Sequence, residues 1–258
     1  MRQLITTLIK EFTGEYSRRN GSKSQWQEPL VGFVNAADER FTGLRESVSA
    51  THALPCDLLP DARTVVVYFI PFADSIVRSN IPGAACSYEW AAAYIETNKL
   101  IFDLNTYLSE QLGQKGYASS IIPATHNFDE TRLVSDWSHR HVAYLAGLGS
   151  FGLNNMLITE KGCCGRVGSL VTNVAIEPTQ GSGQENCLYK HGGLCQKCVS
   201  RCPEQALTLE GFDRHKCYLA KCLENAKLYS ELGLADACGK CLVNVPCSSR
   251  NPAQRPLR

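Results

Sequence analysis

The chain has 258 residues, enough for one large domain or two modest domains with a sizeable buried core. Its 26 Lys and Arg residues nearly balance its 25 Asp and Glu residues, so composition gives no electrostatic reason to expect nucleic acid or an anionic membrane as a partner. Thirteen cysteines are many for a cytosolic chain, where thiols stay reduced, and they point to metal chemistry.

The N-terminal segment predicts an amphipathic helix and not a signal peptide. It reads MRQLITTLIKEFTGEY, with charges at Lys10 and Glu11 and without a long apolar core or a small-residue cleavage site. The longest strongly apolar run, at residues 65–73, is about ten residues long and too short to cross a bilayer. We therefore expect a soluble, cytoplasmic protein with no membrane partner.

The first 184 residues predict a mixed α/β domain. Periodicity and turn signals give alternating strands and helices in this part of the chain. The first predicted strand follows a turn within residues 58–70, and the others are 117–123 and 168–176. The predicted helices are 87–112 and 137–146. Their order, with one long crossover, predicts a two-layer or three-layer sandwich.

A glycine-rich segment, AGLGSFGLNNMLIT, occupies residues 146–159. Gly147, Gly149 and Gly152 match GxGxxG, but a dinucleotide-binding fingerprint needs a strand before it and a helix after it. Here a helix precedes and an apolar run follows, so we exclude a Rossmann site. Two interpretations stay open: a helix end with a tight turn, or a loop that lets a large cofactor approach the backbone.

The last 72 residues hold nine of the thirteen cysteines. We therefore predict a second, cysteine-dense domain at residues 185–258. Within it, Cys195, Cys198 and Cys202 form C-x₂-C-x₃-C followed directly by a proline, the pattern of two-cluster ferredoxins. Zinc is the alternative, since Cys195/Cys198 and the pair Cys238/Cys241 could supply four ligands, but zinc leaves the other cysteines unexplained.

Two [4Fe-4S] clusters need eight thiolates, and the crossing of ligands in two-cluster ferredoxins suggests how they are shared. The first cluster would use Cys187, Cys195, Cys198 and Cys247. The second cluster would use Cys202, Cys217, Cys238 and Cys241. Cys187 and Cys247 depart from the usual spacing, and the remaining Cys222 could replace one of them.

Several segments together resemble the epoxyqueuosine reductase family, which is related to the catalytic parts of reductive dehalogenases. HVAYLAGLGSFGLNNMLIT, GSLVTNVAIEPT, CQKCVSRCPEQAL, CYLAKC and CGKC come in the same order as in that family, and the similarity spans about residues 55–250. The resemblance implies a nitroreductase-like cobalamin-binding domain followed by a ferredoxin-like domain with two [4Fe-4S] clusters. It implies that electrons pass through the clusters to cobalamin, which carries the reductive chemistry.

The resemblance also suggests site residues. The family's general acid is an aspartate shortly before the glycine segment; an ungapped count places Leu133 there, so Asp129 and Asp136 are the candidates. Asp136 could instead stabilise the start of the following helix. Gly147, Gly149, Gly152 and His141 are the candidate cofactor-binding residues, and His126 lies on a predicted loop where binding residues gather.

The predicted function is reduction of a small molecule with electrons from a low-potential donor such as ferredoxin or flavodoxin. Epoxyqueuosine reductases carry a further C-terminal region that helps hold tRNA, whereas this chain ends eleven residues after Cys247. Together with the small net charge, this leads us not to expect a tRNA substrate. The alternative is an electron-transfer or activating protein for a corrinoid partner, without a substrate of its own.

Overall fold

The computed structural model describes residues 1–123, 128–193 and 195–254, so His126 lies outside the described residues. The helices are α1 (Arg2–Asn20), α2 (Arg40–Ser47), α3 (Pro55–Leu58), α4 (Asp74–Ser79), α5 (Tyr88–Gly113), α6 (His139–Leu145), α7 (Leu188–Gly192), α8 (Lys197–Arg201), α9 (Arg214–Cys217) and α10 (Leu223–Leu228). The strands are β1 (Leu30–Asn35), β2 (Thr64–Pro71), β3 (Ser119–Ile121), β4 (Phe128–Asp129), β5 (Val134–Ser135), β6 (Gly149–Phe151), β7 (Leu157–Thr159) and β8 (Gly165–Thr172).

A four-stranded antiparallel sheet in the order β1-β2-β8-β3 forms the centre of the fold. All eight residues of β2 are buried, which confirms the apolar run at 64–70 as an inner strand. A strand covered on both faces reads as a continuous hydrophobic run, as this one does. The strand predicted at 117–123 is present as the shorter β3, and the strand predicted at 168–176 is present as β8, which begins and ends earlier. The sequence did not predict β1.

Helices cover both faces of the sheet. Alternate β2 residues point to opposite sides: Val66 and Tyr68 pack with α1 and α5, whereas Val65 and Val67 pack with α2 and α6. The long helix α5 begins where predicted, because the Ser87 hydroxyl accepts a hydrogen bond from the Trp90 backbone N–H. The mixed α/β fold is therefore a three-layer sandwich.

The cysteine-dense part has little regular structure. The helical periodicity of residues 217–232 predicts a single helix, but the structure has α9, a π-helical turn at Tyr218–Cys222, α10 and a 3₁₀ turn at Ser230–Leu232 instead. Asp213 starts this series by accepting a hydrogen bond from the Lys216 N–H. The sequence from Pro203 to Gly211 predicts a short helical turn and then a strand, but the structure has only one bridge there within the described residues, between Leu207 and Phe212. Helical periodicity alone does not reveal the π turn, because it inserts one residue into an otherwise regular pattern.

The two parts of the chain share buried contacts. One apolar cluster contains Trp90 and Ala93 of α5 together with Cys187, Leu242 and Val243 of the cysteine-dense part. A domain boundary at 184/185 therefore remains a prediction.

Within the described residues, no helix is both long and apolar enough to cross a membrane.

Candidate functional site

The four cysteines expected to hold the first cluster line one small cavity. Cys187, Cys195 and Cys198 come from the region of α7 and α8, and Cys247 approaches from a turn near the C-terminus. Apolar side chains, including Leu153, form much of the remaining wall. The structure therefore brings together residues separated by up to 60 positions, in the grouping that the sequence predicts.

The remaining cysteines of the cysteine-dense part line a second, larger cavity of about 220 Å³. They are the four expected ligands Cys202, Cys217, Cys238 and Cys241, with Cys222 as a fifth. Residues of both cavities pack around Leu207 and Val245, so the two cavities are neighbours. Such proximity is what transfer of electrons between two clusters requires.

Two additional thiols contact cysteines of these groups. Cys222 is hydrogen-bonded to Cys217, so it belongs to the second cavity and cannot stand in for Cys187 or Cys247 at the first. The buried thiol of Cys163 is hydrogen-bonded in the same way to Cys247. The second cavity therefore has one thiol in its lining beyond the four that a cluster requires, whereas Cys163 contacts a predicted ligand without lining the first cavity.

The arrangement of the sulfur atoms bears on the choice between zinc and clusters. In residues 1–123, 128–193 and 195–254, no three His, Cys, Asp or Glu side chains converge closely enough to hold one metal ion. The cysteines surround their cavities instead. In a [4Fe-4S] cluster each thiolate binds a different iron atom, so ligands placed around a cavity fit such a group.

Burial keeps two of these thiols protonated at neutral pH. It raises the pKa of Cys198 to about 11 and that of Cys238 to about 12, and the charge of Lys240 acts against the rise at Cys238. Metal binding requires the thiolate, so metal uptake has to release protons from these groups.

The rest of the second cavity is aromatic and polar. Trp90, Tyr94 and Phe212 supply rings, while Arg140, Asn155 and Arg166 supply guanidinium and amide groups. The Arg166 guanidinium lies 4.4 Å from the centre of the Tyr94 ring, and that of Arg140 donates to the Asn155 carbonyl oxygen at 2.8 Å. We call the part of the cavity that these aromatic and polar residues line its open end. It adjoins the second group of cysteines, so a ligand there would lie next to a cluster held by them.

A buried carboxylate faces this cavity. Asp236 accepts hydrogen bonds from the hydroxyl groups of Tyr94, at 2.7 Å, and Tyr218, at 3.0 Å. Sequence reasoning missed the group, because the spacing of Tyr94 on α5 marks it only as a core residue. Asp236 lies 142 residues further along the chain, and no local pattern connects the two.

The two predicted acids lie elsewhere. Asp136 accepts hydrogen bonds from Thr51 at 2.6 Å and Ser49 at 2.8 Å, and these bonds hold its pKa below the usual value. The Arg132 backbone and side chain lower the pKa of Asp129. Neither carboxylate is among the residues lining the two cavities. A low pKa favours the ionised form, so their role as proton donors remains a prediction without structural support.

The glycines of the GxGxxG segment lie against the protein's own backbone. Gly147 follows α6 with φ 71°, and a Cβ there would lie 2.3 Å from the Gly181 Cα. A Cβ on Gly149 would lie 2.2 Å from the Ile158 carbonyl oxygen, and one on Gly152 would meet the side chains of Asn154 and Ile158. These contacts account for the glycines as a helix end and tight turns. Their contact with a cofactor remains a prediction.

His141 also has partners within the protein. Its ring lies 4.6 Å from that of Phe151, and its Nδ1 lies 2.7 Å from the Ser138 hydroxyl. Burial lowers its pKa to about 4, so the imidazole is neutral at neutral pH. It is not among the residues that line either cavity, and a role in cofactor binding remains a prediction.

Comparison with known proteins confirms the resemblance noted in the sequence. The chain is 29% identical over 188 residues to an epoxyqueuosine reductase from Synechocystis sp., covering 70% of this chain and 58% of that relative. The chain thus spans little more than half of that relative's length. No protein-family model matches.

Solved structures show the same mixed α/β fold. An epoxyqueuosine reductase with an epoxyqueuosine-modified tRNA stem loop has a TM-score of 0.55 at 20% identity, covering 94% of this chain and 66% of the other. A catabolic reductive dehalogenase in complex with 3-bromo-4-hydroxybenzoic acid has a TM-score of 0.56 at 16% identity, covering 87% and 30%.

One expectation is corrected by these comparisons. The sequence led us to expect a small-molecule substrate and no tRNA partner, yet a solved relative holds a modified tRNA stem loop. The expectation rested partly on a net charge of +1. Net charge is a poor guide to nucleic-acid binding, because it averages over the whole surface, whereas phosphates are contacted by local groups.

Proposed function

Because this chain resembles the epoxyqueuosine reductases in sequence and in fold, we propose that it is an iron–sulfur oxidoreductase with two [4Fe-4S] clusters. The observation that carries the proposal is the division of the predicted ligands between two neighbouring cavities, four around the first and four with Cys222 around the second. Cys202 lies directly before Pro203 at the passage from one group to the other, as in two-cluster ferredoxins. The clusters would conduct electrons to the open end of the second cavity.

A cobalamin at that open end is the second part of the proposal. Its carboxamide groups suit the guanidinium groups of Arg140 and Arg166 and the side-chain amides of Asn154 and Asn155, all of which line the cavity. When bound, it would supply a strongly reducing, nucleophilic cobalt. The chain's own contribution would be to hold the cofactor beside the second cluster and to keep bulk water away with Trp90 and other aromatic rings.

The substrate proposed is an epoxide-bearing modified nucleoside in tRNA. The exposed aromatic ring of Phe212 at the cavity can stack with a base. The exposed residues Arg214 and Lys216 lie two and four positions after Phe212 and can approach phosphates. Removal of an epoxide oxygen as water consumes two electrons and two protons. Asp236, with its tyrosine partners, is the carboxyl group placed to relay those protons.

The first experiment is metal analysis of anaerobically purified full-length chain, with absorption spectra before and after addition of cobalamin. We expect about eight irons per chain with equivalent acid-labile sulfide, and a cobalamin spectrum that shifts on binding. The same protein is then given epoxyqueuosine-containing tRNA and a chemical reductant, and the digested nucleosides are analysed by mass spectrometry. Loss of the epoxide oxygen supports the reductase, whereas iron without a cobalamin response or conversion supports an electron carrier.

A further inference from the structure

A fully buried lysine lies within the second C-x₂-C pair. Lys240 stands between Cys238 and Cys241, both of which line the second cavity, and its side chain is among the largest fully buried ones in the protein. Only 1% of its surface is exposed. Lysine is almost never buried to this degree unless it is paired, so this position requires an explanation.

The partners of Lys240 account for its hydrogen bonds but not for its charge. The Nζ atom donates to the carbonyl oxygens of Asn80, at 2.8 Å, and Pro82, at 2.7 Å. The ion pairs found among the described residues do not include Lys240. The charged side chain that contacts the Lys240 backbone is another cation, since Arg201 donates a hydrogen bond to the Lys240 carbonyl oxygen. A buried ammonium without a counter-ion is costly, because carbonyl dipoles replace only part of its hydration.

We propose that Lys240 is the counter-charge of the group held in the second cavity and sets the reduction potential of that cluster. The inference rests on the proposed [4Fe-4S] content of this cavity. Four thiolates give such a cluster a net negative charge, and reduction adds one more. A fixed cation nearby, poorly screened in the interior, favours the reduced form over the oxidised form and raises the potential.

The contacts of Lys240 also hold its ammonium group in a fixed position relative to the loop that carries Cys238. Asn80 and Pro82 lie between α4 and α5, in the α/β part of the chain. The side-chain amide of Asn80 in turn donates to the Cys238 carbonyl oxygen at 2.9 Å. The ammonium is thus fixed to the same loop that holds the backbone of a cluster ligand, and it cannot move away when the cluster is reduced.

The test compares Lys240→Gln with Lys240→Arg in the full chain, with clusters reconstituted anaerobically. Both replacements can donate to the two carbonyl oxygens, but only Arg keeps the charge. In a redox titration followed by electron paramagnetic resonance, Lys240→Gln should shift one of two couples to a more negative potential. We expect the reduced-to-oxidised ratio of that cluster to fall at least tenfold at a given potential, a shift of about 59 mV for one electron. The other couple should not move.

The outcomes separate this inference from the proposed function. Lys240→Arg and the exposed control Lys227→Gln should titrate like the unmodified chain. Unshifted couples in an iron-replete Lys240→Gln protein would overturn the role of Lys240 and leave the reductase intact. If Lys240→Gln loses iron, retention of that iron in Lys240→Arg supports the counter-charge, and equal loss in both overturns it. An unmodified chain that binds no iron overturns both proposals.

Discussion

The indole ring of Trp90 lies directly on the backbone of Gly239. A Cβ on Gly239 would come within 2.2 Å of the Trp90 Cζ2 atom, and the glycine has φ 70°. This contact joins the start of α5 to the second C-x₂-C pair, where Cys238 and Cys241 line the cavity. The position of two proposed cluster ligands therefore depends on an aromatic side chain from the opposite part of the chain.

Gly239→Ala should lower stability and deplete iron from the second cavity. The methyl group would displace the Trp90 ring, and a left-handed backbone costs roughly 1–2 kcal/mol for a residue with a Cβ. Gly21→Ala is the matched control, since Gly21 is also left-handed, with φ 65°, but has open space around its Cα. Thermal unfolding and iron content of both variants distinguish the clash from backbone strain. Equal effects in the two variants would show that the Trp90 contact is unimportant.

Replacing one ligand in each cavity should remove one cluster at a time. Cys198→Ser and Cys241→Ser are each expected to reduce iron from about eight to about four per chain, because serine is a poor ligand for iron in such clusters. Cys56→Ser, at an exposed cysteine outside both cavities, should leave iron unchanged. Iron and sulfide assays provide the measurement, and retention of all iron in either variant would disprove the assignment of ligands.

Cys222 should be dispensable for cluster binding, whereas Cys217 should not. Both line the second cavity and their thiols are hydrogen-bonded, but a cluster needs only one of them. Cys222→Ala is expected to keep all its iron and Cys217→Ala to lose about half. The reverse result would make Cys222 the ligand and change the predicted set of eight by one residue.

Gly149→Ala tests whether the GxGxxG segment serves the fold or a cofactor. Its Cβ would overlap the Ile158 carbonyl oxygen, so we expect a marked loss of stability, roughly 1–3 kcal/mol as for other overpacked sites. Gly14→Ala, on α1 with nothing near its Cβ, should instead be neutral or stabilising. Chemical unfolding measures both. A stable Gly149→Ala protein with weakened cobalamin binding would favour the cofactor interpretation.

Acid should destabilise the fold through His139. Its ring nitrogens lie 2.8 Å from the Ser169 hydroxyl and 2.9 Å from the Pro123 carbonyl oxygen, and burial lowers its pKa from 6.5 to about 4. The unfolded chain therefore binds the proton more tightly. The contribution of this neutral histidine, about 3 kcal/mol, is present above pH 6.5 and is lost as the pH falls toward 4.

The measurement for His139 is the free energy of unfolding between pH 4 and pH 7. His139→Gln should flatten its pH dependence, whereas His191→Gln, at an exposed histidine, should not. An unchanged slope in His139→Gln would mean that other groups carry the acid sensitivity.

Local patterns predicted some features and long-range packing determined the others. The apolar run of β2 and the periodicity of α5 were sufficient to place both elements, because each is specified by its own residues. The ligand groups were predictable because cysteine spacing is itself a signature. The pairing of Tyr94 with Asp236 was not predictable, since neither residue has a neighbour in sequence that marks it. The acids that lie close to the glycine segment in sequence, Asp129 and Asp136, are not among the residues that line the cavity.

The separation of Cys195 and Cys247 in the sequence has a consequence for biosynthesis. The backbone N–H of Cys163 donates to the Cys247 and Ser248 carbonyl oxygens. The segment that contains Cys247 therefore both supplies a residue of the first cavity and is bound to Cys163. A ribosome adds roughly 5–20 residues each second, so Cys247 emerges roughly 3 to 10 seconds after Cys195. During that interval three thiols of the first group exist without their fourth partner. All four thiols can hold a cluster only after Cys247 has been synthesised, and a nascent chain needs protection of the first three from oxygen until then.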